Sequence, residues 1–184
     1  MNIQDIPNGQ SGMWKVEDFE VPENSLENMR LAFQPGGRTV KPGNYKKLTR
    51  NGKLIMSNTQ AEMQDQSYFV YKAHGNVLIN GLGLGCALAK ILEKEDVKFV
   101  TVIENSKDVI KLIAPFFKED SRVNIIHSDA FEWKPPKGVR YNAVWHDIWD
   151  DICGDNLPEM TKLHRKYGRR TDWQESWCKE LCKI

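Results

Sequence analysis

Three glycines at alternate positions, Gly81, Gly83 and Gly85, interrupt an apolar run that begins Val77-Leu-Ile-Asn80 and resumes as Cys86-Ala-Leu-Ala-Lys-Ile-Leu. That break turns a buried strand tightly into a helix, and glycine there lets the backbone approach a nucleotide-like ligand. A second apolar run, Val100-Thr-Val-Ile, ends at Glu104, 19 residues beyond Gly85. Near that spacing a strand-end carboxylate accepts protons from the hydroxyls of a ribose. Glu104-Asn105 and Ser128-Asp129-Ala130 each follow a strand-like run, and Asp129 has the chemistry to accept from the exocyclic amine of a purine. The combined reading is a nucleoside site. Taken singly, the glycines also fit plain strand-to-helix packing, and Glu104 fits a solvated strand end.

These residues need elements to hold them. Strands are predicted near 77–80, 98–104, 123–127 and 141–146, with helices near 84–95 and 107–118, the second kinked or shortened by Pro115. Strands apolar on both faces that alternate with helices indicate a parallel sheet, and in such a sheet the three loops converge in the crevice at the strands' carboxyl ends. Upstream, Tyr45 to Arg50, the turn Asn51-Gly52 and Lys53 to Ser57 read as a hairpin. Thr59 and Glu62 form a capping-box pattern that opens one helix with an apolar stripe of Met63, Phe69, Val70 and Ala73, closed by His74-Gly75. The first forty residues show only a helix candidate, Leu26 to Phe33, and a Pro35-Gly-Gly37 break. After Asp147 no further strand is expected. A helix from Leu157 to Tyr167 stops at Gly168, and Thr171-Asp-Trp-Gln174 suggests a second one. The chain thus divides into an N-terminal extension (1–74), a core (75–150) and a C-terminal helical segment (151–184).

Composition narrows the classes. A chain of 184 residues, 40% hydrophobic, supports one core. With 26 Lys and Arg against 25 Asp and Glu, no global field draws in DNA or a membrane. No apolar run reaches membrane-spanning length, and Met1 to Gln10 lacks the regions of a signal peptide, so a cytoplasmic protein is expected. Cys86, Cys153, Cys178 and Cys182 form neither a disulfide framework nor a Cys-x-x-Cys metal pair, and no metal is assigned. Lys162, His164, Arg165, Lys166, Arg169 and Arg170 make the one basic cluster, read as solvation at a helix end rather than a nucleic-acid interface.

On these residues the stretch from Val77 to Asp150 resembles the class I S-adenosylmethionine-dependent methyltransferase superfamily. It is most similar to the spermidine-synthase-type branch, including short proteins of bacteria and their phages. Val100 to Glu104, Ser121 to Phe131 and the fourth strand ending at Asp147 carry the likeness, together with the hairpin before the glycine loop. It covers roughly residues 45–150. The implied fold is α/β: a Rossmann-like open parallel sheet, a shortened class I methyltransferase fold with an N-terminal β-hairpin and C-terminal helices. A nicotinamide enzyme fits less well, because Cys86 stands where that fingerprint has Gly or Ala. The resemblance implies a donor, S-adenosylmethionine or its decarboxylated form, bound by Asn80, Gly81, Gly83, Gly85, Glu104, Asn105, Asp129 and Ala130. It also implies that the Asp147-x-x-Asp150 pair orients and deprotonates an attacking amine. A carboxylate beside a sulfonium is a plausible general base, which makes Asp147 the catalytic candidate; Asp150 and Asp151 fit equally a helix N-cap and first turn. Tyr68, Trp145 and Trp149 are pocket or core aromatics, and His146 a hydrogen-bonded structural group.

The chain departs from the pattern at two positions. Leu84 replaces the acid that in the spermidine-synthase branch holds the aminopropyl amine, and Ile79 replaces the acid that ordinary methyltransferases use for the methionine amine. Asn80, a neutral amide, substitutes for that charge only in part. The expected activity is methyl transfer to a small-molecule acceptor. Aminopropyl transfer is the alternative, and a noncatalytic binding or scaffold protein the rival from another class. With four strands, the edge of the last one needs cover from the C-terminal helices, the N-terminal segment or a second subunit, which makes a homodimer plausible.

Overall fold

The computed structural model describes residues 1–33 and 39–183. The predicted Pro35-Gly-Gly37 break lies outside them. The described residues form two sheets. The first is antiparallel, in the order β1 (Gly9–Ser11), β2 (Trp14–Val21), β3 (Gly43–Arg50) and β4 (Lys53–Ser57). The hairpin expected at Asn51-Gly52 joins β3 and β4, with both corner residues at positive φ as its turn requires. The expectation for the first forty residues was incomplete. Besides α1 (Leu26–Ala32), they hold β1 and β2, whose period-2 signal is broken because Trp14 and Val16 turn inward while Asp18, on the same face, is exposed.

The second sheet is wholly parallel, in the order β7 (Val123–His127), β6 (Val97–Glu104), β5 (Gly75–Asn80), β8 (Tyr141–His146) and β9 (Thr171–Ser176). Both faces are covered, which explains the unbroken apolar runs. On one face Val77, Ile79, Val100, Val102, Ala143 and Trp145 pack under α4 (Cys86–Leu92) and α5 (Lys107–Phe117). On the other, Leu78, Ile103, Tyr141 and Val144 meet α6 (Leu157–Tyr167) through Leu163 and Tyr167. Pro115 sits inside α5 two residues before its end. Gly85 caps α4 because the helix must pack closely: a Cβ there would lie 2.6 Å from the Phe117 ring.

Two expectations are corrected. The second C-terminal helix is instead strand β9, in register with β8 from Tyr141↔Thr171 to His146↔Ser176. The bare peptide groups along β8 outweigh the weak capping pattern of a polar segment. This strand also covers the edge that had suggested a second subunit. The single helix after Thr59 is two, α2 (Gln60–Asp65) and α3 (Ser67–Lys72), separated at Gln66. The capping box does not form: the Thr59 side chain makes no cap bond, and the Glu62 carboxylate instead accepts from Ser57 N–H and Oγ–H, each at 2.7 Å. Among the described residues no helix is long and apolar enough to cross a membrane.

The antiparallel sheet lies against the carboxyl end of the parallel one. Ser11 Oγ donates to Asp108 at 2.7 Å, Leu84 N–H points at Met56 Sδ at 3.2 Å, and ion pairs join Arg50 to Asp150 and Lys53 to Asp151.

Candidate functional site

Strand order reverses at β5, whose neighbours β6 and β8 lead in opposite directions, so the loops leaving β5 and β8 part and open a crevice. There a cavity of about 450 Å³ is enclosed by the strand-end loops below and the antiparallel sheet above. That volume suits a ligand the size of a nucleoside with a tail.

Its floor is the glycine loop. Gly81 has φ +98° and lies so near the next loop that a Cβ would stand 1.9 Å from the Asp147 carbonyl oxygen. Asp147 N–H donates to the Asn80 carbonyl at 2.8 Å, so the ends of β5 and β8 are locked together just where both chains leave the sheet. Gly81 and Gly83 line the cavity; Gly85 and Asn80 do not. Gly85 serves helix packing. Asn80 is fully buried, with its amide 2.8 Å from His146 Nδ1. His146 Nε2 is 3.2 Å from Gln174 Oε1, and burial pushes the imidazole pKa down to about 3, so the ring is neutral and structural.

Glu104 ends β6 at the cavity wall, almost buried. Each carboxylate oxygen accepts one backbone N–H, Leu82 at 2.8 Å and Ser106 at 2.7 Å, which ties the glycine loop to the start of α5. A carboxylate has about four acceptor positions, so two remain for a pair of hydroxyls. Asn105 borders it, its carbonyl 3.0 Å from His127 Nε2. Asp129 and Ala130 line the adjoining wall. Asp129 Oδ1 takes the Phe131 N–H at 2.6 Å, and the Ala130 carbonyl takes the Tyr167 hydroxyl and the Lys166 ammonium, both at 3.0 Å. Lys166, from the basic cluster, is therefore in part a brace for this loop.

Asp147 stands opposite, partly buried in the wall. Burial pushes its carboxyl up to about 7, and the negative Glu62 and Asp65 add to the effect; the Trp145 indole and the Gln66 side chain beside it act in the other direction. Asp150 also lines the cavity but is paired with Arg50, which in turn lies over the Trp14 ring at 5.2 Å. Trp149 is in the wall, with its indole N–H donating to Glu159 at 2.8 Å. Trp145 is a core residue stacked on Phe69, and Tyr68 is exposed. Leu84 and Ile79 are buried, away from the lining.

Six carboxylates border the space, Glu62, Glu104, Asp129, Asp147, Asp150 and Glu159, against one cation among the described lining residues, Arg50. Such a wall favours cationic ligands. Arg50, Glu62, Gln66 and Glu159 were not singled out as site residues from the sequence. Gln66 did leave a signal: it falls on the apolar stripe between Met63 and Phe69, where a polar residue is out of place.

No family model matches the chain. It is 32% identical over 134 residues to polyamine aminopropyltransferase 1 of Streptomyces coelicolor, a match covering 66% of this chain and 24% of that protein. A polyamine aminopropyltransferase of Sulfolobus acidocaldarius is 32% identical over 84 residues, 42% of this chain and 28% of the other. The match thus spans about a quarter of the length of these curated relatives. Among solved structures, spermidine synthase from Thermotoga maritima shares the fold with a TM-score of 0.53 at 16% identity, over 90% of this chain and 52% of that one. The chain carries the spermidine-synthase-like form of the class I methyltransferase fold.

Proposed function

We propose that the chain is a transferase that moves an alkyl group from an adenosylated sulfonium donor to an amine. The observation that carries this reading is the acid-lined cavity, with Glu104 at one wall and the high-pKa Asp147 at the other. Gly81 and Gly83 give close backbone approach, Glu104 suits the ribose hydroxyls and Asp129 the adenine amine. The donor supplies an electrophilic carbon next to positive sulfur. An amine arriving as an ammonium loses one proton to Asp147. Its lone pair then forms the N–C bond while the C–S pair stays on sulfur, which leaves as a neutral thioether. With a pKa of about 7, Asp147 is ionised in a useful fraction near neutrality and still basic enough to take that proton.

Methyl transfer is the first expectation from the sequence, yet the lining fits aminopropyl transfer better. The methionine carboxylate of S-adenosylmethionine would meet six acids and one arginine already paired with Asp150, whereas the decarboxylated donor brings no such charge. The curated relatives, named polyamine aminopropyltransferases, support the same choice. Methyl transfer remains the second reading because of Leu84, apolar and buried where the resembling branch has an acid. Incubation with each donor and a diamine separates them: methylthioadenosine marks aminopropyl transfer, S-adenosylhomocysteine methyl transfer. If calorimetry detects no binding of either donor or either thioether product, both readings fall. Binding without turnover would favour a noncatalytic role.

A further inference from the structure

Gln66 is 2% exposed and borders both the main cavity and a second, small one of about 10 Å³ that Cys86 also lines. Its side-chain carbonyl has no hydrogen-bond partner, a condition shared among the described residues by two other buried side-chain atoms, Asn80 Oδ1 and Trp145 Nε1. Buried amide carbonyls are rarely left so. Neither Asn80 nor Trp145 lines the main cavity. Gln66 is the one residue of the three in that cavity's lining, and its unpaired carbonyl lies just beneath the surface, beside the Asp147 carboxylate with which its side chain interacts.

We propose that Gln66 selects the nucleophile: its carbonyl accepts a second N–H from the atom that Asp147 deprotonates, so the site takes primary amines in preference to alcohols and thiols. This rests on the transferase reading above. The argument is a count of hydrogens. A hydroxyl or thiol has one, which goes to Asp147 and leaves Gln66 Oε1 unpaired. A primary ammonium has three: one is shed to Asp147, one meets Gln66, and one remains for the surrounding acids. As N–C forms and the C–S pair passes to sulfur, the bond to Gln66 persists and keeps the nitrogen lone pair aimed. An amide suits this task because, unlike a carboxylate, it does not compete for the proton.

The test uses putrescine, cysteamine and methylthioadenosine as probes. Gln66→Met keeps the length of the side chain and removes its acceptor; Gln66→Glu keeps an acceptor. For Gln66→Met the expected results are a KM for putrescine raised about 10- to 100-fold, a ratio of N- to S-alkylation on cysteamine lowered by a similar factor, and unchanged methylthioadenosine affinity. The acidic limb of its pH–rate profile moves upward, since Gln66 helps keep Asp147 ionised. Gln66→Glu, whose carboxylate still accepts from the amine but competes for its proton and adds a like charge beside Asp147, is expected to keep the N- to S-alkylation ratio within a fewfold of the parent while the acidic limb moves upward. Should Gln66→Met fail to fold, Gln66→Asn, which withdraws the carbonyl by one methylene, carries the same expectation as Gln66→Met. A parent protein that turns over putrescine together with a variant of unchanged KM and alkylation ratio overturns the role of Gln66 alone. A parent that binds methylthioadenosine but neither binds nor alkylates any amine overturns the transferase reading and this one with it.

Discussion

Replacing Asp147 with Asn should abolish turnover and, above neutral pH, make the protein more stable. A carboxyl moved from 3.8 to about 7 by folding binds its proton more tightly in the native state. Its contribution to stability is fully present below pH 3.8 and is lost as pH rises through about 7. The whole shift corresponds to about 4 kcal/mol, and because the residue is only partly buried, solvent screening brings the expected effect to about 2–4 kcal/mol. Asparagine, always neutral, escapes the penalty. Urea denaturation of both proteins at pH 4, 6 and 8 gives the difference directly. It should be flat near pH 4 and grow in favour of the variant up to pH 8, equivalent there to about 2–4 °C in Tm per kcal/mol. His146 acts in the opposite sense, its contribution present above pH 6.5 and lost as pH falls toward about 3, which offsets part of the Asp147 slope in the parent's own profile. It cancels in the difference. A gap of the same size at pH 4 and pH 8 would refute the burial argument, since a pH-independent offset reports packing rather than ionisation.

Four further outcomes follow from the same geometry. Gly81→Ala places a Cβ on the Asp147 carbonyl at a φ of +98° and should cost about 3 kcal/mol or more; a near-parental melting temperature contradicts the described loop. Glu104→Gln sets an amide N–H₂ against the Leu82 or Ser106 N–H, costing about 1–3 kcal/mol. The same change should weaken methylthioadenosine binding at least about tenfold, and unchanged affinity by calorimetry removes Glu104 from the ligand site. Arg50→Met breaks a pair whose members are 40% and 24% exposed, so denaturation should register less than about 1 kcal/mol, and a larger loss would mean that docking of the hairpin depends on it. Glu62→Gln removes a negative neighbour of Asp147 and should move the acidic limb of the pH–rate profile down; no movement separates the two groups electrostatically.

Much of the site was readable because it obeys local rules. Alternate glycines after an apolar run, Glu104 at the end of the next strand and Asp147 at the end of the fourth place their backbones at one rim of a parallel sheet, wherever the rest of the chain goes. The opposite wall was not readable. Glu62 looked like a capping residue, and Gln66 drew no reading of its own beyond a polar side chain on an apolar stripe, since the helix pattern runs on through 66 and nothing nearby in sequence announces the break. Asn80 and Gly85 were chosen by position in a motif, while their side of the chain faces the interior.

The order of strands and helices between 75 and 146 was set by the sequence alone, through hydrophobic runs long enough to outweigh local alternatives. Tertiary contact decided the ends. Thr171–Ser176 is a polar hexapeptide with a helix-start pattern, and it becomes a strand because β8 offers a row of peptide groups that must be paired. Glu17, Lys46 and Asp18 likewise lie in strands of uneven alternation; Lys46 is buried only because Ile6, Asn8 and Asp18 supply its acceptors from 28 to 40 residues away. Sequence carries the periodicity that burial demands, but hydrogen bonds between distant segments have no period to read.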